Sequence, residues 1–235
     1  MLNSREGLLE REKEIMRILN LFLEEGLDFI VVGGYAISTY KKRFSIDLDL
    51  VVRESDIKKF ENLLTKKGYN LNYDKKIALI YGEEFKRFVK KIKGLPVSID
   101  FLINGLVSRA TDSTWGFDYV KKHSKKRKLN DSEFLTPEKD LLVAMKFHSG
   151  RLSDIRDVVA LMPCNEDNVR KHISNGNIGK LKSTIKKQQE FLNKPQFDDS
   201  FKGIFGIHIY KKEDVEKTKH LTNSLLNFLG KHAIK

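Results

Sequence analysis

FIVVGGYAISTYKKRFSIDLDLVV, residues 29–52, is the stretch on which the fold turns. A strand-like apolar run ends in Gly33-Gly34, a helix-length segment follows, and a second apolar run carries Asp47 and Asp49 with one residue between them. In an extended strand, residues two apart share a face. Asp47 and Asp49 should therefore project together while Ile46, Leu48, Leu50 and Val52 turn into a core. Neighbouring carboxylates repel, and a cation relieves that repulsion. The glycine pair leaves the backbone open to a phosphate at the start of a helix, where unpaired N–H groups favour an anion.

Working outward, residues 3–26 carry Leu8, Leu9, Ile15, Ile18, Leu19, Phe22 and Leu23 at helical spacing, with charges between them. The pattern predicts a helix lying on the sheet. Residues 35–41 and 57–67 read as further helices, with Ile57, Phe60, Leu63 and Leu64 on one face of the second. Residues 69–80 predict one or two strands around a turn, and residues 85–92 alternate apolar with basic residues as another strand would. VSIDFLI, residues 97–103, is a short buried strand with Asp100 at its centre. An aspartate there is costly unless it is paired, hydrogen-bonded or bound to metal. Beside Asp47 and Asp49 it becomes a third candidate metal ligand.

The second half reads as mostly helical. Thr136-Pro137-Glu138 suits a helix start, and that helix places Lys146 in an apolar stretch, either snorkelling or aimed into a cleft. Ser153 opens the next helix, where Asp154 and Asp157 are three apart and share a face. Helices are expected over 166–174, 178–193 and 213–229, with a break over 195–206. Val215, Leu221, Leu225, Leu226 and Leu229 form a stripe that is either core or a dimer interface. The architecture expected is α+β: a sheet-bearing domain over 1–130 and a helical region over 131–235.

The net charge of +12 and pI near 9.5 favour a polyanionic partner such as RNA, DNA or a nucleotide; a solvated lysine surface is the plainer alternative. The run Lys121-Lys122-His123-Ser124-Lys125-Lys126-Arg127-Lys128 poses the same choice, either a lysine-guarded hairpin edge or a nucleic-acid contact. One cysteine, Cys164, excludes an internal disulfide and a multi-cysteine zinc site. No apolar run approaches the ~20 residues that span a bilayer, and the N-terminus lacks the order of a secretory signal. The expectation is a cytoplasmic protein without membrane contact.

Strand, Gly33-Gly34, helix, Asp47-Leu48-Asp49 and a later strand aspartate at Asp100 together resemble the nucleotidyltransferase superfamily of DNA polymerase β type. The segment TPEKDLLVAMKFHSGRLSDIRDVVALM resembles the helical part of the AbiEii and MenT-like branch, with Lys146, Arg151, Asp154 and Asp157 at matching positions. Arg43-Phe44-Ser45 also looks like that branch, while Gly34 stands where many members have serine. The resemblance implies a mixed sheet flanked by helices and transfer of a nucleoside monophosphate from an NTP to an acceptor hydroxyl, with release of pyrophosphate. It implies two Mg²⁺ ions, or Mn²⁺, on Asp47, Asp49 and Asp100. Gly33, Gly34 and Ser45 would meet the phosphates, Arg43 and Lys146 would neutralise their charge, and Asp157 would orient Lys146 or touch the nucleotide. It also implies a tRNA or other RNA acceptor, a protein or a small molecule, and an antitoxin or homodimer partner if the chain is a toxin. The contrasting reading is a catalytically silent nucleotide-binding or partner-binding module of the same fold.

Overall fold

A central strand pair carries the three aspartates, and the rest of the sheet is built around it. The computed structural model describes residues 4–72, 85–206 and 210–232. The expected strands over 73–80 lie outside the described residues. In chain order the first part holds α1 (Ser4–Glu24), β1 (Phe29–Val32), α2 (Gly33–Ser38), β2 (Asp47–Val52), a 3₁₀ turn (Glu54–Asp56), α3 (Ile57–Lys66), β3 (Asn70–Asn72), β4 (Phe85–Ile92) and β5 (Leu95–Ile103). Then come β6 (Gly105–Ser108), β7 (Ser113–Gly116), α4 (Phe117–Lys122), β8 (Ser124–Leu129) and β9 (Ser132–Pro137). Helices follow: α5 (Lys139–His148), a 3₁₀ turn (Leu152–Asp154), α6 (Ile155–Ala160), α7 (Glu166–Ile173), α8 (Ile178–Leu192), α9 (Gln196–Phe205) and α10 (Lys212–His232).

The chain forms two interleaved units. One comprises Met1–Thr39, Phe44–Val107 and Trp115–Pro137; the other comprises Tyr40–Arg43, Ser108–Thr114 and Glu138–Lys235. In the first, five strands make one mixed sheet in the order β1-β2-β5-β4-β3. β2 and β5 are parallel, and the other neighbours are antiparallel. β6 with β7 and β8 with β9 form two-stranded ribbons. The strand alternation sends Leu48, Leu50, Val52, Ile99, Phe101 and Ile103 into one core with Ile15, Ile18, Leu19 and Phe22 of α1 and Ile57, Phe60 and Leu64 of α3. Phe22 meets Phe60 edge-on at 4.9 Å between centroids, and Phe60 lies 5.3 Å from Phe101. Burying each such ring contributes roughly 2–3 kcal/mol. Ile46 departs from the expected pattern. It precedes the strand and is 44% exposed, so the core-facing alternation begins at Leu48.

The second unit is helical. The stripe Val215, Leu221, Leu225 and Leu229 of α10 is buried against α6, α7 and α8 of the same unit, which makes it core; Leu226 is only partly covered. The expected break over 195–206 is instead α9, because Phe197, Phe201 and Phe205 recur every four residues on one buried face. Phe201 and Phe205 stack at 4.4 Å. Pro195 is the N-cap of α9 and Gly206, at φ +68°, its C-cap, so they bound the helix instead of forbidding it. Thr136 and Pro137 do not open α5. Both belong to β9, with Pro137 opposite Ser124 and Thr136 opposite Lys125, and Glu138 is the N-cap. Hairpin pairing outweighs the local helix-start signal. The basic run falls on the end of α4 and on β8, where Lys125, Lys126 and Lys128 are exposed. Among the described residues, no helix is long and apolar enough to cross a membrane.

Candidate active site

The register of the sheet assembles three carboxylates. β1 pairs with β2 so that Val32 lies opposite Asp49, and β2 pairs with β5 so that Asp49 lies opposite Asp100. Asp47 shares the face of Asp49 because it is two residues away. Asp47, Asp49 and Asp100 each offer a carboxylate oxygen within 4.8 Å of the others. At an effective dielectric of ~20, charges at that separation repel by on the order of 3 kcal/mol per pair. Asp47 and Asp49 are half-buried, whereas Asp100 is 2% exposed. Burial pushes the Asp100 carboxyl above the usual carboxylate range; the charge of Asp47 adds to this, and Arg87 opposes it.

Small contacts hold the triad in place. Ser45 Oγ donates to Asp47 Oδ1 at 2.8 Å. Gly33 takes φ +62°, and a Cβ there would lie 1.9 Å from Asp49 Oδ2. Glycine is thus required twice, by the backbone angle and by the carboxylate packed against it. Gly34 is buried, and its carbonyl accepts from Ser38 Oγ at 3.0 Å. Three converging carboxylates form a hard-oxygen donor set of the kind that suits Mg²⁺, Mn²⁺ or Ca²⁺. Their mutual repulsion and the raised Asp100 pKa are what such a cation would relieve.

A second charge cluster lies in the helical unit. Arg43 Nη1 donates to both oxygens of Asp157 at 2.7 Å. Lys146 Nζ lies 2.7 Å from Asp157 Oδ2 and 3.4 Å from Asp154 Oδ2. Arg151 donates to Asp154 from Nε at 3.1 Å and from Nη2 at 2.9 Å. Burial disfavours the charge on Asp154, but Lys146 foremost and then Arg151 outweigh it and hold its pKa down at about 2. Lys146, Asp154 and Asp157 are all buried. Lys146 therefore neither snorkels nor stands alone; it is tied into an ion network.

The sequence matches, over residues 8–162, the family described as uncharacterised nucleotidyltransferase. The match covers more than half of the chain and includes every residue of both clusters. The chain belongs to this family. It is a nucleotidyltransferase, with the superfamily fold expected from its Gly-Gly and Asp-x-Asp stretch. No curated protein matches it. Among solved structures, the nucleotidyltransferase is similar to a lincomycin-bound lincosamide antibiotic adenylyltransferase, LnuA, at 17% identity and a TM-score of 0.48, covering 66% of this chain and 98% of that one. An antigenic nucleotidyltransferase-like protein from Paracoccidioides brasiliensis aligns at 13% identity and a TM-score of 0.48, covering 82% and 92%. A tRNA-processing enzyme complex aligns at 16% identity and a TM-score of 0.37, covering 85% and 60%.

The expected site residues of the nucleotidyltransferase thus fall into two groups. Gly33, Ser45, Asp47, Asp49 and Asp100 come together in the sheet unit, with Gly34 next in the chain. Arg43, Lys146 and Asp157 come together in the helical unit. One residue at the triad is absent from the sequence reading. Arg87 of β4 donates from Nε to Asp100 Oδ1 at 2.7 Å and from Nη2 to Asp100 Oδ2 at 2.5 Å. Its signal was the alternation of residues 85–92, which marks a strand; which residue it would oppose depends on the pairing of β4 with β5.

Proposed function

We propose that this nucleotidyltransferase moves a nucleoside monophosphate from an NTP to an acceptor hydroxyl with Mg²⁺, or Mn²⁺, held by Asp47, Asp49 and Asp100. The observation that carries this reading is the convergence of the three carboxylates within 4.8 Å beside a glycine that cannot be replaced without displacing Asp49. Bound there, divalent cations supply charge neutralisation of the triphosphate and activation of the attacking hydroxyl. The chain's own residues bind and orient. Asp47, steadied by Ser45, and Asp49 take the metal on the triphosphate. Asp100 would help hold the cation that activates the acceptor hydroxyl and could receive its proton. Gly33, with no side chain of its own, would offer its backbone to a phosphate, and Gly34 follows it in the chain. The basic composition favours an RNA acceptor, tRNA included, over a small molecule, and a toxin role would follow if that RNA were essential.

The test is incubation of the full chain with Mg²⁺, α-labelled NTPs, and either total RNA or hydroxylated small molecules including aminoglycosides. Label should move to RNA in the wild type and not in Asp49→Asn. No transfer to any acceptor class, or full transfer by Asp49→Asn, would sink the reading. The same assay on Lys146→Met tests the expectation that this lysine serves the nucleotide.

One observation favours a second reading, a silent nucleotide-binding module. Arg87 already engages both oxygens of Asp100, so the third carboxylate carries a counter-ion of its own. Mg²⁺-dependent NTP binding by calorimetry, with no product from any acceptor, would support it. An interface role for the α10 stripe is disfavoured, because that stripe is core of its own unit.

A further inference from the structure

We propose that Arg87 is the resident counter-ion of Asp100, competing with a divalent cation for that carboxylate and so setting the metal affinity of the triad. The inference rests on reading Asp47, Asp49 and Asp100 as a metal site. Arg87 stands on β4 directly opposite Asp100 in the antiparallel register, and its fork takes both carboxylate oxygens. Bidentate charge-assisted pairs of this kind are the strong ones. The hydrogen bond to Asp100 holds the Arg87 guanidinium above its ordinary pKa against burial, and the charges of Asp100, Asp47 and Asp49 add to it. Arg87 therefore lies in the field of the whole triad.

Exposure decides which partner can move. The Asp100 side chain is 2% exposed and that of Arg87 24%. Asp100 is fixed within a central strand and cannot turn to water. The Arg87 side chain is only partly covered, with the Phe85 ring 5.8 Å from its guanidinium. A cation arriving at Asp100 would displace or loosen the arginine, not the carboxylate.

The experiment is Mn²⁺ titration of the full chain by electron paramagnetic resonance, on the wild type, Arg87→Gln and Arg87→Lys. Arg87→Gln should bind Mn²⁺ roughly tenfold more tightly than wild type, from the loss of a charge-assisted competitor. Arg87→Lys keeps the charge but not the fork and should fall between. A second readout is melting temperature: Arg87→Gln should melt below wild type in EDTA and gain more than wild type from saturating Mn²⁺. Mn²⁺ binding in folded Arg87→Gln equal to or weaker than wild type overturns the proposal alone. If Arg87→Gln does not fold, Arg87→Lys decides: tighter binding than wild type supports the proposal, and equal or weaker binding overturns it. No Mn²⁺ binding by any of the three overturns the metal reading and this inference together.

Discussion

Two acidic clusters in this chain use the same residue types in opposite ways. In the sheet unit, Asp47, Asp49 and Asp100 face one another within 4.8 Å, with Arg87 on one of them. In the helical unit, Asp154 and Asp157 face cations. Lys146 reaches both, Arg43 closes on Asp157 and Arg151 on Asp154. The first arrangement stores repulsion that a bound ion would release. In the second, each carboxylate already has cationic partners within the unit. Aspartate count alone therefore says little; what the aspartates face separates a repelling cluster from a paired one.

The sharpest way to break that comparison is to neutralise one carboxylate in each cluster. Asp49→Asn should lower transfer roughly a thousandfold or more, through loss of a metal ligand, yet leave urea stability equal or slightly higher because one repelling charge is gone. Asp157→Ala should do the reverse to the fold. It leaves Lys146 and Arg43 buried without their shared partner, and breaking a buried ion pair in this way costs about 3–5 kcal/mol. Equilibrium urea unfolding of both variants reads this directly. Asp49→Asn as destabilising as Asp157→Ala would show that the triad supports the fold and does not strain it.

Gly33→Ala sharpens the sheet side. The added methyl meets Asp49 Oδ2 at 1.9 Å at φ +62°, so either the carboxylate or the turn must shift. Stability should fall by about 1–3 kcal/mol, and Mn²⁺ affinity should fall with it. Unchanged Mn²⁺ affinity in the folded variant would mean that Asp49 can be moved without cost to the site.

The same contrast explains what was legible in the sequence. Asp47 and Asp49 could be paired from local alternation, and Asp100 stood out as a charge within an apolar strand. Both signals need only one strand at a time. Arg87 was hidden because its partner lies thirteen positions away on a strand whose register no local pattern fixes. Lys146 could be placed on a helix but not assigned a direction, since its partners come from the following turn and helix. The α9 helix was hidden by its flanking Pro195 and Gly206, though Phe197, Phe201 and Phe205 already carried the helical period. Thr136-Pro137 misled in the opposite direction, because strand pairing with β8 overrode a good local helix start.

The smallest effect is read in acid, with EDTA present so that bound metal does not enter. His148 is fully buried in the helical unit. Its Nε2 donates to the Ile173 carbonyl at 3.1 Å, leaving Nδ1 to accept from the Thr111 hydroxyl at 2.7 Å. This is the neutral ring. Burial pushes its pKa from 6.5 to about 4, against the pull of the Ile173 hydrogen bond. The unfolded chain takes up a proton near 6.5 and the folded chain only near 4, so acid favours unfolding within that window. The contribution is intact above 6.5, about 1 kcal/mol is lost at pH 6 and about 2 kcal/mol at pH 5, and the loss levels off below 4. Asp154 acts in the same direction at lower pH: its folded pKa is lowered from 3.8 to about 2, so its contribution is intact above 3.8 and is lost as pH falls through 2. The two windows do not overlap. Urea stability should therefore fall as pH drops below about 6.5, and His148→Gln should flatten the fall between 6.5 and 4 while leaving that below it. A fall above pH 4 as steep in His148→Gln as in wild type would move that acid sensitivity away from His148.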